Sequence, residues 1–260
     1  MSTEAPIPFS HPLPESLADR TVLILGGSSG VGKATGLMLR SLGARVVLVA
    51  RDADRLAAAA ADVRAAGDST DAVVTAAADA TDEKELQRVV DSIDKLDHVL
   101  VTAASVSFGS LFDDHGGRGD ESLTTRFNAG WNAARVTVPR LPAGGSLTFL
   151  SGDMIDRPQP GGSVVSAGVG AIEALTRALA VELAPRRVRV NAIRLGSTDT
   201  PLIRGFLGED ADAAVTALGA ALPLGRLGTA EEAASAAIFL MCNYNTTGST
   251  LSVDGGQTLV

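Results

Sequence analysis

The sequence is poor in several residue types, and each shortage excludes a class of structure or partner. Aromatic residues make up only 3% of the 260 residues, so the core has to be built from Ala, Val, Leu and Ile, which suits buried parallel strands flanked by helices. Cys242 is the only cysteine, so an intrachain disulfide is impossible. The formal net charge is -8 and no Lys/Arg run occurs, so we expect no nucleic-acid partner.

Long uninterrupted apolar runs are also missing. Charges and glycines interrupt every apolar segment, so we expect no membrane span and no membrane partner. The N-terminus has no charged start followed by an apolar run, so we expect no secretory signal and a cytoplasmic location. Residues 1–19, which carry four prolines, are predicted to form a flexible extension, and residues 20–260 to form one domain.

Strand and helix signals alternate from Arg20 to the C-terminus. Short apolar, β-branched runs, such as residues 21–25 and 45–50, indicate strands. A helix is predicted between them from residue 30 to residue 42, and Gly43 is well placed to end it. Such alternation indicates βαβ units with a parallel sheet. We therefore predict an α/β fold, a single doubly wound Rossmann domain with a parallel sheet flanked by helices.

The strongest motif is a glycine-rich loop over residues 26–32, with the spacing Gly-x-x-x-Gly-x-Gly. It directly follows a predicted strand and opens a predicted helix, which is the context that a phosphate-binding loop needs. Glycines let the backbone turn tightly and approach a pyrophosphate, and the helix N-terminus presents free N–H groups to it. The cofactor-binding residues predicted in this loop are Gly26, Ser28, Ser29, Gly30, Val31 and Gly32.

This spacing resembles the loop of the short-chain dehydrogenase/reductase (SDR) family, although Leu25 stands where that family has a threonine. The resemblance covers residues 20–260. It continues in three further motifs, Arg189-Val190-Asn191-Ala192, Leu222-Pro223-Leu224-Gly225-Arg226-Leu227-Gly228 and Val253-Asp254-Gly255-Gly256. The resemblance implies a nicotinamide cofactor, a small-molecule substrate, and a homodimer or homotetramer formed through two long helices and the last strand.

The end of the second predicted strand distinguishes the two nicotinamide cofactors. An acidic residue there would bond the ribose 2′-hydroxyl, but the position holds Ala50, and Arg51 follows it. A guanidinium group can hold a 2′-phosphate through two hydrogen bonds, so we predict NADP(H). The resemblance implies further cofactor contacts at Asp79, Ala80, Thr102, Ala103, Ala104, Gly196, Thr198 and Thr200. The segment beginning at Thr102 departs from the family, which has Asn-Asn-Ala-Gly there.

The resemblance fails at the residues that carry the family's chemistry. In that family a tyrosine transfers the proton, a lysine lowers the tyrosine's pKa, a serine positions the carbonyl group and an asparagine supports a proton relay. The alignment places Val165 at the tyrosine, Val169 at the lysine and Gly152 at the serine, and only Asn128 matches. A shift of register cannot restore the pattern, because the only tyrosine is Tyr244 and the three lysines lie in the first half of the chain.

Neighbouring polar side chains are candidates for the missing roles. Ser151 immediately precedes the serine position, and Asp153 and Asp156 follow on the same loop. A carboxyl group in an apolar pocket has a raised pKa and can act as an acid. Arg126, on the helix that carries Asn128, is a candidate to orient an oxyanion. These five residues are the predicted catalytic candidates.

Three interpretations of the function stay open. The first is an NADP(H)-dependent reductase that uses a non-standard proton donor on a small, largely apolar carbonyl, alcohol or imine substrate. The second is a non-redox cyclase, isomerase or eliminase on the same scaffold, and the third is a catalytically silent NADP-binding protein.

Two further segments are candidates for a functional role. Residues 196–221 occupy the place of the family's substrate lid and contain apolar residues, including Leu202 and Phe206, that are predicted to cover the substrate. The run Asp113-Asp114-His115-Gly116-Gly117 contains three residue types that bind metals, but its glycines favour a polar loop, so we predict no metal site.

Overall fold

A parallel sheet with helices on both faces forms the centre of the molecule, in a computed structural model that describes residues 5–8, 11–112 and 118–260. The strands are β1 (Thr21–Leu25), β2 (Arg45–Ala50), β3 (Val73–Ala77), β4 (His98–Val101), β5 (Ser146–Gly152), β6 (Arg189–Leu195), β7 (Thr198–Asp199), β8 (Gly228–Thr229) and β9 (Thr250–Val253). The helices are α1 (Gly30–Ser41), α2 (Ala53–Ala65), α3 (Glu83–Asp91), α4 (Arg118–Thr137), α5 (Ser163–Leu183), α6 (Pro201–Leu207), α7 (Ala211–Ala220) and α8 (Ala230–Cys242).

The strand order confirms the predicted doubly wound fold. Seven strands pair in parallel in the order β3-β2-β1-β4-β5-β6-β9, and β7 pairs with β8 in a separate ribbon. The first strand, β1, lies in the middle of the sheet. The next two strands, β2 and β3, follow on one side of it, and β4 pairs with its other side. This reversal leaves a crevice beyond the carboxyl ends of β1 and β4, where open α/β sheets bind their ligands.

The core explains why the central strands contain so few polar residues. All of β1 and β4 is buried, because helices cover both faces of the sheet. Side chains alternate along β1, so Leu23 and Leu25 belong to one apolar cluster with Phe149, whereas Val22 and Ile24 belong to a second cluster on the opposite face. Apolar packing on both faces of the sheet therefore fixes the positions of the carboxyl ends of β1 and β4.

Part of the N-terminal extension is packed against the domain. Pro14–Leu17 forms a short 3-10 helix that contacts α8, and the side chain of Leu17 is buried in the core. This turn of the predicted extension therefore packs against the domain, and the flexibility of residues 1–19 stays a prediction. The boundary at residue 20 stays a prediction, and the loop that contains His115 lies outside the described residues.

One helix has the length and apolar composition that a membrane span needs. This segment, Ser163–Arg186, consists of α5 and the turn after it. It packs against α4, β5 and β6, and residues such as Val169 and Ile172 are buried in these contacts. Core helices of α/β domains commonly have this composition because they cover a sheet.

Candidate functional site

One cleft of about 770 Å³ opens at the carboxyl edge of the sheet. It gathers fourteen of the fifteen predicted cofactor-binding residues, which come from separate strands and loops. Those that line it are Gly26, Ser28, Ser29, Gly30, Val31, Arg51, Asp79, Ala80, Thr102, Ala103, Ala104, Gly196, Thr198 and Thr200. The remaining one, Gly32, lies beneath the loop against the backbone of Gly26.

The glycine-rich loop is shaped so that side chains cannot occupy two of its positions. Gly26 has a φ of +94°, and a Cβ there would lie 2.4 Å from Oγ1 of Thr102. A Cβ on Gly32 would lie 2.3 Å from the carbonyl oxygen of Gly26. The Thr102 hydroxyl lies 3.0 Å from the Leu25 carbonyl oxygen and 3.1 Å from that of Gly26, which ties the residue after β4 to the end of β1 and to the loop. These contacts hold the backbone in a cradle that fits a pyrophosphate group.

The start of α1 has hydrogen-bond donors to offer to this cradle. Ser29 is the N-cap residue and makes no side-chain hydrogen bond to the first turn. The first N–H groups of a helix have no partner within the helix, so they remain available to an anion. The residues present therefore fit the phosphates of a dinucleotide.

Two arginines lie at the end of β2. Arg51 directly follows the strand, and Arg55 lies four residues later in the first turn of α2. Both side chains line the cleft. The Asp52 carboxylate accepts hydrogen bonds from the backbone N–H groups of Asp54 (3.1 Å) and Arg55 (2.9 Å), which fixes the start of α2. Arg55 was not predicted from the sequence, although its place in the first turn of the helix after Arg51 is the signal for it.

The five catalytic candidates separate into two groups. Arg126, Ser151 and Asp153 line the cleft beyond the glycine-rich loop, but Asn128 and Asp156 are not among the described residues that line it. Asn128 is exposed on α4, because two residues along a helix correspond to a rotation of about 200° away from Arg126. The predicted relay role of Asn128 is therefore not supported by its position.

The positions aligned with the family's catalytic residues form an apolar patch. Gly152, Val165 and Val169 all line the cleft. The ring of Tyr244 instead lies 5.0 Å from the Arg189 guanidinium carbon. The described residues include every tyrosine and lysine of the chain, and none of these lines the cleft. Neither residue type is therefore available at this site.

Asp153 is the acidic group of the cleft with a perturbed pKa. Burial raises the pKa of its carboxyl group, and the negative charges of Asp254 and Asp156 raise it further, which outweighs the hydrogen bonds from the backbone. The carboxyl group therefore keeps a proton to a higher pH than an exposed aspartate does. A carboxyl group of raised pKa beside an apolar wall is a candidate proton donor.

Arg126 is the basic group at the same end of the cleft. Its Nη1 donates a hydrogen bond of 3.0 Å to the Leu150 carbonyl oxygen, its one hydrogen bond within the described part of the chain. Burial lowers its pKa to about 10, so the guanidinium group remains charged at neutral pH. A guanidinium group has five N–H donors, so most of them are available to an oxygen of a ligand.

A charged network lies behind Ser151. Its hydroxyl donates a 2.8 Å hydrogen bond to the buried carboxylate of Glu173, on α5. Arg194, on β6 directly opposite Ser151, binds the same carboxylate through Nε (2.8 Å) and Nη2 (2.6 Å) and also pairs with Asp156. Ser151 and Asp156 therefore belong to this network, whereas Asp153 makes none of these contacts and lines the cleft.

The pKa of Glu173 reflects a balance within this network. Burial is the largest single influence and would raise its pKa, but the hydrogen bonds from Arg194 and Ser151 and the charge of Arg194 together lower it. This network was not predicted from the sequence. Its signal is the charged Arg194 near the end of β6, just before the loop that lines the cleft.

The predicted lid covers the cleft with its first part. Residues of α6, including Leu202, Ile203 and Phe206, line the cleft, whereas α7 is not among the described elements that do so. Val106 and Met154 add further apolar surface from the opposite side. The substrate end of the cleft is therefore mainly apolar, with Arg126 and Asp153 as its charged groups.

Comparisons with known proteins agree with this architecture. A family model described as enoyl-(acyl carrier protein) reductase matches residues 26–258. A short-chain dehydrogenase/reductase of Stachybotrys chlorohalonatus is 35% identical, with 94% of this chain and 99% of the relative aligned. The 3-oxoacyl-[acyl-carrier-protein] reductase of Bos taurus is 31% identical over 93% of this chain and 99% of its own length.

A solved structure shows the same fold over nearly the whole chain. The MalC reductase/Diels-Alderase of Malbranchea aurantiaca superposes with a TM-score of 0.87 at 28% identity, and the match covers 95% of this chain and 99% of MalC. The relatives therefore include reductases and a protein that is also described as a Diels-Alderase.

Proposed function

Because the chain belongs to the short-chain dehydrogenase/reductase superfamily, whose members use nicotinamide cofactors, we propose that it is an NADP(H)-dependent oxidoreductase in which Asp153 replaces the usual proton donor. The observation that carries the proposal is a single cleft. It joins the glycine-rich loop and Arg51 at one end to a carboxyl group of raised pKa at the other. The proposed substrate is a small, largely apolar carbonyl, alcohol or imine compound, and the proposed location is the cytoplasm.

Different residues of the chain would bind different parts of the cofactor. The loop over residues 26–32 would hold the pyrophosphate, and Arg51 with Arg55 would hold the 2′-phosphate. Thr198 and Thr200 would contact the end nearest the substrate. The bound cofactor supplies the hydride for reduction, or accepts it in the reverse direction.

The catalytic part of the proposal concerns two charged side chains. Arg126 orients the substrate's oxygen or nitrogen through its free N–H groups and stabilises negative charge on it. Asp153 holds a proton and delivers it to that atom as the hydride is transferred. The apolar wall, which includes Val165 and Val169 at the positions of the family's tyrosine and lysine, excludes water and helps to keep Asp153 protonated.

A second candidate function is favoured by two observations. No tyrosine or lysine lines the cleft within the described residues, and the structurally similar MalC is described as both a reductase and a Diels-Alderase. A non-redox cyclisation, isomerisation or elimination would use the same pocket without consuming the cofactor. Stoichiometric loss of NADPH with product formation supports the reductase, whereas product formation without that loss supports the second function. A silent NADP-binding protein would form no product.

The cofactor preference has a direct test. We expect the purified protein to bind NADPH more tightly than NADH, and Arg51→Ala to weaken NADPH binding by roughly tenfold to 100-fold while NADH binding is nearly unchanged. The reason is the loss of charge-assisted hydrogen bonds to the 2′-phosphate. Cofactor fluorescence measures both affinities. The control is Arg88→Ala, which removes the same charge from an exposed position on α3. Equal weakening by the two variants would contradict a specific role for Arg51.

We also propose that the protein assembles with further copies of itself as a homodimer or homotetramer. Val181 on α5 is 78% exposed and Trp131 on α4 is 41% exposed, although these helices pack against each other. Val181→Glu is expected to lower the mass measured by light scattering, because it puts a charge into an apolar interface. Leu111→Glu, at an equally exposed site (79%), is the control and is expected to leave the mass unchanged.

A further inference from the structure

Two phenylalanines meet at the mouth of the substrate end of the cleft. Phe108 belongs to the loop after β4, and Phe206 belongs to α6. Their ring centroids are 5.6 Å apart and their planes form an angle of 88°, which is an edge-to-face contact. Both rings line the cleft, and the side chains are 44% and 48% exposed. The pair therefore joins two separate elements and still offers ring surface to a ligand.

The Phe108 side of this pair is anchored. The backbone N–H of Gly109 donates a 2.9 Å hydrogen bond to the carbonyl oxygen of Gly161, in the segment before α5. Gly161 has a φ of +78°, and a Cβ there would lie 3.3 Å from the Gly109 nitrogen. The two backbones therefore approach closely, and this contact holds Phe108 on one side of the cleft.

The Phe206 side of the pair is held by ion pairs of its helix. The Arg204 guanidinium binds the Asp199 carboxylate of β7 at 2.6 and 2.8 Å and reaches Asp212 of α7 at 2.7 Å. No residue of α6 is buried, so the helix lies on the surface above the cleft. These ion pairs therefore attach α6 at the mouth of the cleft and leave the Phe206 ring partly exposed there.

The space behind the pair accommodates a ligand with much apolar surface and few polar groups. Val106, Met154 and Leu195 form apolar walls, and the charged groups are Arg126 and Asp153. A ring system with one polar function fits both kinds of surface. The faces of its rings contact the apolar walls, and its oxygen or nitrogen atom contacts Arg126 or Asp153.

We propose that Phe108 and Phe206 form an aromatic gate, which selects planar multi-ring substrates over small aliphatic ones. This inference rests on the proposed function, which places the substrate in this end of the cleft. It narrows the proposed substrates to compounds with several planar rings. Because the two phenylalanine rings are nearly perpendicular, a planar ring system can stack on the face of one and contact the edge of the other. A small aliphatic compound is too short to contact both.

The gate is tested with two vicinal diketones that differ in ring content, 9,10-phenanthrenequinone and butane-2,3-dione. Their binding to the full-length protein saturated with NADP⁺ is measured by calorimetry in the wild type, Phe108→Ala, Phe206→Ala and Phe112→Ala. Phe112 is a matched control, because it lies on the same loop as Phe108, is 93% exposed and does not line the cleft. Affinity for NADP⁺ is measured separately for each protein.

We expect the wild type to bind the quinone more tightly than the small diketone. Phe108→Ala and Phe206→Ala should each weaken quinone binding by about tenfold and change diketone binding less than about twofold. Phe112→Ala should match the wild type. Equal affinity of the wild type for both compounds, or equal effects of all three variants, would overturn the gate. The wild type is also incubated with NADPH and the quinone in a separate turnover assay. Quinone binding that depends on the gate, without NADPH consumption in that assay, would support the gate and reject the reductase.

Discussion

Replacing Asp153 by asparagine is expected to lower kcat for NADPH-dependent reduction by about 10²-fold to 10⁴-fold, the usual contribution of a positioned general acid. Asparagine keeps the size of the side chain but has no acidic proton to transfer. The measurement is the rate of NADPH oxidation at saturating substrate. Cofactor affinity should remain that of the wild type, because Asp153 lies at the substrate end of the cleft.

The pH profile separates an acid from a residue that is only structural. A general acid works while it is protonated, so kcat should be high at low pH and fall as pH rises through the pKa of Asp153. Burial and two neighbouring carboxylates raise that pKa, so the fall should lie above the range of an exposed aspartate, whose pKa is near 3.8. In Asp153→Asn this decline should be absent.

Asp156→Asn provides the matched control for this experiment. Its carboxylate is on the same loop but pairs with Arg194 and does not line the cleft within the described part of the chain. It should therefore retain most of the activity and the falling limb of the profile. If the two asparagine variants lose activity equally, the assignment of the proton donor to Asp153 is wrong.

The second large effect concerns stability. Arg194→Ala is expected to lower the free energy of unfolding by about 3–5 kcal/mol, because it leaves the Glu173 carboxylate buried without its partner. Denaturant unfolding at neutral pH measures the change. Adding Glu173→Gln to this variant should recover part of the loss, since the uncompensated charge is removed. A double variant no more stable than Arg194→Ala would contradict this explanation.

The sign of the pH dependence follows from the lowered pKa of Glu173. A carboxyl group whose pKa is lower in the folded state adds stability above its unfolded pKa, near 4.5, and this stability is lost as pH falls through the folded pKa. In Arg194→Ala, burial acts on Glu173 without the opposing arginine, so its pKa should rise. The stability difference between wild type and variant should therefore shrink as the pH is lowered.

The fold was predictable because its signals are local. The apolar run over residues 21–25 and the run over residues 45–50 became β1 and β2 with the predicted bounds, since each is short, β-branched and followed by a turn. The glycine-rich loop was equally accessible. Its residues are consecutive, and the chain geometry after a parallel strand places them at the edge of the sheet.

The substrate end could not be predicted in the same way, because its contacts join distant positions. The sequence contains no local pattern that pairs Glu173 with Arg194, since one lies on a helix and the other on a strand. The contact between Phe108 and Phe206 likewise depends on a loop and a helix that meet only in the folded chain. Asn128 matched a motif, but the rotation of α4 determines which side of the helix faces the cleft.

The hydrogen bond from Ser151 to Glu173 has a consequence for engineering the site. On the proposed alignment, installing the family's catalytic side chains requires Gly152→Ser, Val165→Tyr and Val169→Lys. The Ser151 hydroxyl is held by Glu173, so it cannot take the place of the serine, and the engineered protein needs all three substitutions together.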